Sequence, residues 1–390
     1  MRRRVCVIAV GMSKWGPEKG TQKELIQEAV KATYDDCPAL KPAHIDGLLC
    51  ASSHSERTAF MTHLAPMAAE LAGIKPTSLI ARVELLCGSS AAAVHLAYAH
   101  IAAGLSEMVM VVGVEKLYLP NKWEMPWSIQ MSLDPFELMH GMGSPAVMFA
   151  MAAREHMKKY GTTEEQMALV AVKNRRNGAG NPKAHFQKAV TAGEVLAARP
   201  IVKPLKLLDC TPVTDGAAAI VLAAEERAKE YTEKPVYILG IGQASTHQAL
   251  ANMPDLACFD HLRTASDKAY RMAGIEAGDI DVAETHDCFT ISEIIECEDL
   301  GFCPKGEGGP FVAAGQSDFG GKVVVNPSGG LISCGHPFGA TGARQVMDIT
   351  LQLRGESYNQ VPHARLGLAQ NISGPMSAST VTVLGRERVL

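Results

Sequence analysis

Apolar positions along the chain alternate between strand-like and helix-like periods, and the same order of segments occurs twice. VCVIAVGMS, starting at Val5, is a β-branched run that ends at glycine and a small polar turn, and VYILGIGQAS at 236–245 repeats it. A helical pattern follows each run, TQKELIQEAVKATYDDC in the first case and LRTASDKAYRMAG in the second. Each helix leads to a strand marked by Ile-Asp, AHIDGLLCASSH and then GDIDVAETHDCF. A loop and a second helix come next: Cys87 with AAAVHLAYAHIAAG, then His336 with ARQVMDITLQLRG. The strands MVMVVGVE and ARLGLAQN close the two series. Alternating β and α elements in two copies predict an α/β protein of two similar halves.

An insertion separates the copies, from about Leu117 to about Arg199. It is rich in Met, Pro and Gly and holds Trp123 and Trp127, two of the three tryptophans. Its helical part, SPAVMFAMAAREHMKKYGTTEEQMALVAVKNRRNG, offers Thr163 as the cap before EEQMALVAVKN. An insertion this long exceeds an ordinary connection and predicts a subdomain or a substrate lid. LLDCTPVTDGAAAIVLAAEE then supplies the last strand of the first half. The expected organisation is 1–116 with 200–234, an inserted domain at 117–199, and 235–390.

Three junctions carry candidate chemistry. NPSGGLISCGHPFGATG, from Asn326 to Gly342, packs five glycines, two prolines and His336 into a loop that opens a helix. ETHDCFTISEIIE puts His286, Asp287, Cys288 and Phe289 between a short strand and a helix with Ile291, Ile294 and Ile295 on one face. VELLCGSSAAAVHLAYAHIAAG places Cys87 after an apolar run and before a helix of small residues. A thiol at a helix N-terminus feels the positive end of the helix dipole, so Cys87 is expected to be a nucleophile with a lowered pKa.

Composition narrows the function class. The chain has 390 residues, 47% hydrophobic and 20% charged, with net charge −4 and pI near 6.4. These values fit a soluble enzyme of two to three domain-sized units and give no general affinity for nucleic acid or anionic membrane. No apolar stretch approaches a membrane span. The opening MRRRVCVIAVGMSKWG imitates a signal peptide but reads better as a first strand, and GRERVL is no peroxisomal address. Ten scattered cysteines without C-x-x-C spacing predict reduced thiols in a cytoplasmic setting. Cys87, His286, Cys288 and His336 have the ligand types of a zinc site, but the loops lack chelating spacing, so no metal is expected. Cys297, Cys303 and Cys334 are expected to be packing residues.

These loops and the doubled architecture resemble the thiolase family along the whole chain, nearest its sterol-carrier-protein and archaeal types. The specific pieces are Cys87-Gly-Ser-Ser, NPSGGLISCGHPFGATG and His286-Asp287-Cys288-Phe289, where other branches carry Asn-Glu-Ala-Phe. HGMGSPAVMFAMAAREHMKKYGTTEEQ is similar to the family's loop domain. The resemblance implies a five-layered α-β-α-β-α fold made of two βαβαβαββ-like halves with a loop domain inserted in the first. It also implies an acyltransferase that cleaves or forms the carbon–carbon bond of a 3-oxoacyl-CoA. Cys87 would carry the acyl group, His336 would activate it, and Cys288 would protonate the enolate and later deprotonate CoA. His286 and His336 would hold the thioester oxygen. The N–H groups of Cys87 and Gly374 would hold the acyl oxygen, with Asn371, Ser373, Met142 and Gly143 beside the substrate. CoA would be a co-substrate, with no tightly bound cofactor. Lys173, Arg175, Arg176, Lys183 and Lys188 are the basic groups available for its phosphates, or form a solvated charged face. A homodimer or tetramer is implied, with a small zinc-ribbon and OB-fold accessory subunit as a further partner.

One loop departs from the family pattern. LAQNISGPMSAST stands where close relatives have His-Asn-x-Gly-Gly: Gln370 replaces the His, Ser373 the first Gly, and Pro375 removes a donor after Gly374. A reshaped oxyanion loop and a specialised acyl donor, aromatic or branched, are therefore expected, as in family members acting on benzoylsuccinyl-CoA or acylating phloroglucinols. The methionines from Met125 to Met151 would suit a bulky apolar acyl group, or fill the core. Other chemistries on the same fold fit less well. Decarboxylating ketosynthases need no second thiol, so Cys288 argues against them. Retro-aldolases of the steroid side-chain type lack the nucleophilic cysteine, so Cys87 argues against those. A cysteine hydrolase leaves Cys288 unexplained, and a non-catalytic lipid-binding or scaffold subunit leaves the whole set unexplained.

Overall fold

The computed structural model describes residues 3–18, 20–119 and 124–387; Trp123 and the side chain of Trp127 lie outside this description. The first half contributes β1 (Val5–Met12), β2 (Gly47–Ala51), β3 (Leu79–Val83), β4 (Met108–Glu115) and β5 (Gly216–Ala224). The second contributes β6 (Val236–Ser245), β7 (Val282–Glu284), β8 (Val324–Val325), β9 (Leu366–Ser373) and β10 (Ala378–Gly385). Across the molecule the order is β8-β7-β9-β10-β6-β1-β5-β4-β2-β3, so each half reads the same outward from the middle. The directions match as well. β1–β5 and β5–β4 are antiparallel, as are β6–β10 and β10–β9. β4–β2 and β2–β3 are parallel, as are β9–β7 and β7–β8.

The halves are not separate sheets. Cys6 pairs with Tyr237 and Val7 with Val236, and this short antiparallel join makes one ten-stranded sheet. β1 and β6 are the first strands of their halves, so the join lies on the axis that relates the two copies.

Helices complete five layers. α1 (Gln22–Asp36) and α2 (Leu64–Ala72) cover the outer face of the first half. α3 (Ser89–Ala102) and, later in the chain, α9 (Phe338–Arg354) pack on each other and fill the space between the halves. The insertion supplies α4 (Pro145–Tyr160) and α5 (Glu164–Gly178), while α6 (Asp260–Ala273) and α7 (Thr290–Asp299) cover the second half and the short α8 (Gly330–Cys334) leads to His336. Three apolar clusters lie between these layers. Leu25, Ile26 and Ile8 lie under α1; Val94, Ile101, Val346, Val111 and Val282 surround the middle helices; Leu262, Ile294 and Phe149 lie under α6, α7 and the insertion. The middle pair is built for close approach: a Cβ at Gly342 of α9 would lie 2.7 Å from Ala91 Cβ of α3.

Thr163 caps α5 as its sequence predicts. Its side chain accepts from Gln166 N at 3.2 Å, and Gln166 Oε1 accepts from Thr163 N at 3.0 Å. α4 and α5 lean on α7, so the insertion is carried against the second half although the first half contains it in sequence. No helix among the described residues is long and apolar enough to cross a membrane.

Candidate active site

Cys87 sits in a single tight turn, Leu86–Gly88, just before α3. The turn is strained: Leu86 has φ 45°, a left-handed conformation that costs a branched residue energy. It is held from several sides. Leu86 N donates to Glu84 Oε1 at 2.7 Å, Leu85 N to Ser89 Oγ at 2.9 Å, and Ser89 Oγ to Leu86 O at 2.6 Å. His336 occupies the equivalent place before α9, separated from it only by Pro337. The corresponding helix starts of the two halves thus deliver Cys87 and His336 to one point.

His336 Nε2 lies 3.1 Å from Cys87 Sγ. Its other nitrogen, Nδ1, lies 2.7 Å from Thr341 Oγ1, and the Thr341 hydroxyl donates to Pro337 O at 2.9 Å. With that hydrogen committed, the Thr341 oxygen accepts from Nδ1–H, and the Nε2 lone pair faces the thiol. Thr341 lies in the Gly-Ala-Thr-Gly start of the helix, yet its task depends on a fold that sequence spacing does not reveal. Glu115, at the end of β4, fixes the loops around this pair. Its carboxylate accepts from Ser53 N at 2.8 Å, His54 N at 3.1 Å and Gly339 N at 3.1 Å, tying the start of α9 to the loop after β2.

His286 meets His336 edge to face, ring centroids 4.8 Å apart, and ligating atoms of Cys87, His286 and His336 all lie within 4.8 Å of one another. Cys288 N donates to His286 O at 2.7 Å, so a narrow turn carries both residues at the end of β7. Cys288 itself is buried, and a charge on Cys87 is close enough to raise its pKa. The four residues singled out in three distant stretches of sequence therefore converge.

Burial governs their protonation. It pushes the Cys87 thiol up to about 12, although the backbone N–H groups of Gly374 and of Cys87 itself reach the sulfur and pull the other way. The lowered pKa expected from the helix dipole is thus a misreading. The turn that places Cys87 also removes it from water, and desolvation outweighs the backbone N–H groups that reach the sulfur. His336 is held well below the usual imidazole range by burial, His286 and Arg344, and His286 is brought down to about 3 by burial and Arg344. Cys288 is raised well above the usual thiol range by burial, Glu296 and Cys87. The resting pair is a neutral thiol facing a neutral imidazole.

The departing loop is well ordered by contacts. Gly374 has φ 61°, and its N–H points at Cys87. The donor that Pro375 lacks is therefore not the one that reaches the sulfur. The Ser373 hydroxyl donates to Leu85 O, bracing the Cys87 turn. Gln370 Oε1 accepts from His286 N at 2.9 Å, and Asn371 Nδ2 donates to Gln345 Oε1 at 3.0 Å, so both work behind the site. Met142 packs against the apolar cluster that contains Cys288 and Phe289, and Gly143 O accepts from Gln130 Nε2 at 3.1 Å. A cavity of about 580 Å³ bordered by His54, Arg57, Leu86, Met131, Ser373 and Gly374 opens beside the Cys87 turn.

The basic residues have other partners. Lys173 is buried and ion-paired with Glu293 at 2.9 Å, and donates to Val325 O at 2.6 Å. Arg175 is buried, with its guanidinium 4.2 Å from the Phe186 ring centroid and Nε donating to Lys188 O. Arg176 pairs with Asp318 at 2.6 Å, and Lys183 lies 3.6 Å from Glu28. Lys173 and Arg175 are thus held in contacts within the fold. Cys334 Sγ donates to Ser328 O at 3.1 Å, in keeping with a packing role.

Comparison with known proteins agrees with this geometry. Residues 5–226 match the model of the thiolase N-terminal domain, and residues 242–386 that of the thiolase C-terminal domain-like family. An acetyl-CoA acetyltransferase of Methanothermobacter thermautotrophicus is 37% identical over 386 residues, covering 98% of this chain and 100% of the relative. The benzoylsuccinyl-CoA thiolase subunit BbsB of Thauera aromatica is 32% identical, covering 96% of each. Among solved structures, the Ltp2-ChsH2(DUF35) aldolase superimposes with a TM-score of 0.87 at 27% identity, covering 100% of this chain and 99% of that one. Matches to both domain families and to relatives along their full length identify this chain as a member of the thiolase family, an acyltransferase on the thiolase fold.

Proposed function

We propose that the protein is a CoA-dependent thiolase that forms an acyl-enzyme on Cys87 and cleaves, or in reverse forms, the bond between C2 and C3 of a 3-oxoacyl-CoA. The observation that carries this reading is the Nε2-to-Sγ approach of 3.1 Å, with Nδ1 anchored on Thr341. His336 takes the thiol proton as sulfur attacks C3. The oxygen that becomes an alkoxide meets the N–H groups of Cys87 and Gly374, donors in place before the charge develops. Collapse breaks the C2–C3 bond and leaves an enolate, whose oxygen is held by His286 and His336. Cys288 protonates its carbon. The thiol of an incoming CoA then loses its proton to the same sulfur and attacks the acyl group, and the Cys87 sulfur leaves and takes its proton back from His336.

A specialised acyl donor, aromatic or branched, is the substrate class we assign. The similar Thauera protein is named for benzoylsuccinyl-CoA, and Met142 lies in the apolar cluster around Cys288. Residues 117–199 are the part assigned to cover the substrate, and CoA is its co-substrate rather than a resident cofactor. Work with an accessory subunit, and assembly as a homodimer or tetramer, belong to the same reading. One similar protein is named as a subunit and another as a two-protein aldolase. An aldolase role is the second reading, favoured by that structural likeness; the Cys87–His336 pair supports acyl transfer over it.

Intact-mass measurement after incubation with a panel of acyl-CoAs tests the proposal. A covalent acyl adduct is expected, and it should disappear in Cys87→Ser; an adduct on another cysteine would remove the mechanism. Cys288→Ala should still be acylated by a simple acyl-CoA but fail to complete carbon–carbon cleavage. Unchanged turnover in that variant would leave Cys288 as packing.

A further inference from the structure

Behind Cys288 lies a polar line that the reaction above does not use. Cys288, Ser292 and Glu296 follow one another at intervals of four residues, from the turn before α7 along one side of that helix. Cys288 Sγ is 4.0 Å from Ser292 Oγ, and Ser292 Oγ is 3.0 Å from Glu296 Oε1 and 3.1 Å from His286 O. Ser292 and Glu296 are both fully buried. No Lys, Arg or His lies within ion-pair distance of Glu296 among the described residues. The other groups that face it are the Thr285 hydroxyl and the carboxyls of Asp287 and Glu293. A carboxylate there would be surrounded by acids and unreached by water, so the group is kept protonated: burial and Asp287 raise it well above the usual carboxylate range. An interior packing position does not call for an acid. A protonated carboxyl one hydroxyl away from a thiol that must lose and regain a proton has a chemical use.

We propose that Glu296 is a positioning residue that stores a proton for Cys288, passing it through the Ser292 hydroxyl. This role rests on the acid–base task assigned to Cys288 above. When Cys288 gives its proton to the enolate carbon, its sulfur becomes a thiolate. The Ser292 hydroxyl proton moves to that sulfur, and the Glu296 carboxyl proton replaces it on Ser292 Oγ. Cys288 is again a thiol, and the negative charge rests on Glu296, farther from the acylated Cys87. In the second half-reaction the CoA thiol proton goes to Cys288 Sγ, the Cys288 proton to Ser292, and the Ser292 proton to Glu296. One proton leaves the line and one returns to it in each cycle, so nothing else is consumed.

The test compares wild type with Glu296→Gln, Ser292→Ala and Ser292→Thr, using the 3-oxoacyl-CoA of the panel that wild type cleaves fastest. Given time to reach equilibrium, the extent of Cys87 acylation by acetyl-CoA, read by mass, should be the same in all four, because a relay changes rates and not the end state. For carbon–carbon cleavage, kcat should fall about tenfold or more in Glu296→Gln and Ser292→Ala, with KM unchanged. Ser292→Thr restores the hydroxyl and should recover most of kcat. Glu296→Gln keeps the shape of the side chain, and the Thr rescue separates a lost relay from lost packing. Wild-type kcat in Glu296→Gln, or equal kcat in Ser292→Ala and Ser292→Thr, would overturn the relay. Absence of any Cys87 adduct in wild type would instead sink the thiolase reading itself.

Discussion

At the scale of single residues, position and protonation separate. The motifs point to Cys87, His286, Cys288 and His336, and the fold gathers all four, because a glycine-rich loop or a helix start advertises a functional side chain locally. Their charge states were not legible. A pKa depends on what surrounds a group, and one backbone donor that reaches the Cys87 sulfur, Gly374 N–H, lies nearly three hundred residues away in the chain. The raised thiol and lowered imidazole have a measurable consequence. Thiolate is the form that reacts with iodoacetamide, and its fraction grows about tenfold per pH unit below the thiol pKa. Alkylation of Cys87 in the substrate-free protein should therefore climb steadily from about pH 6 to about pH 9. A rate already flat near neutrality would mean a standing thiolate–imidazolium pair and would contradict the neutral resting state.

Elements decide how precisely sulfur and imidazole meet. Cys87 and His336 lie just ahead of the first turns of α3 and α9, so the Cys87–His336 distance is set by how these helices pack. The contact is backbone-close. Ala343 N donates to Ser90 Oγ at 2.9 Å, and a Cβ on Gly342 would fall 2.7 Å from Ala91 Cβ, inside any normal contact. Gly342→Ala should force the helices apart, costing about 1–3 kcal/mol of stability and slowing Cys87 acylation. Thermal unfolding and adduct formation would report both, and unchanged values in both would show that the helices have room to spare. The helical periods and the two strand series were readable in sequence, since each is a local pattern. The need for glycine at 342 was not. It arises from a neighbour two hundred and fifty residues earlier, and the same Gly-Ala-Thr-Gly could serve an open turn.

On the scale of the whole molecule, the insertion belongs to one half by sequence and to the other by contact. Its basic stretch reads as a phosphate-binding face, but the structure turns part of it inward. Lys173 on α5 pairs with Glu293 of α7, and Asn174 bridges Asp287 Oδ2 and Glu293 Oε2, each at 2.7 Å. Asn326, at the head of the His336 loop, donates to the same Glu293 oxygen at 2.8 Å. Asp287 in turn accepts from Leu331 N at 2.6 Å, at the start of the short helix Gly330–Cys334. One buried polar network thus ties the insertion, the Cys288 turn and the His336 loop together. Sequence gives no sign of it, because a lysine among other charges looks the same whether it faces water or a buried glutamate. Removing the cation strands Glu293, which is completely buried, and breaking such a pair costs about 3–5 kcal/mol. Lys173→Met should therefore lose stability on that scale in denaturant unfolding, whereas Lys188→Met, an exposed neighbour on the same stretch, should lose almost none. If the two variants unfold alike, the insertion is held by its apolar contacts alone. If Lys173→Met loses CoA affinity at full stability, the lysine is a ligand contact after all, and the inward network is not what fixes the insertion over the site.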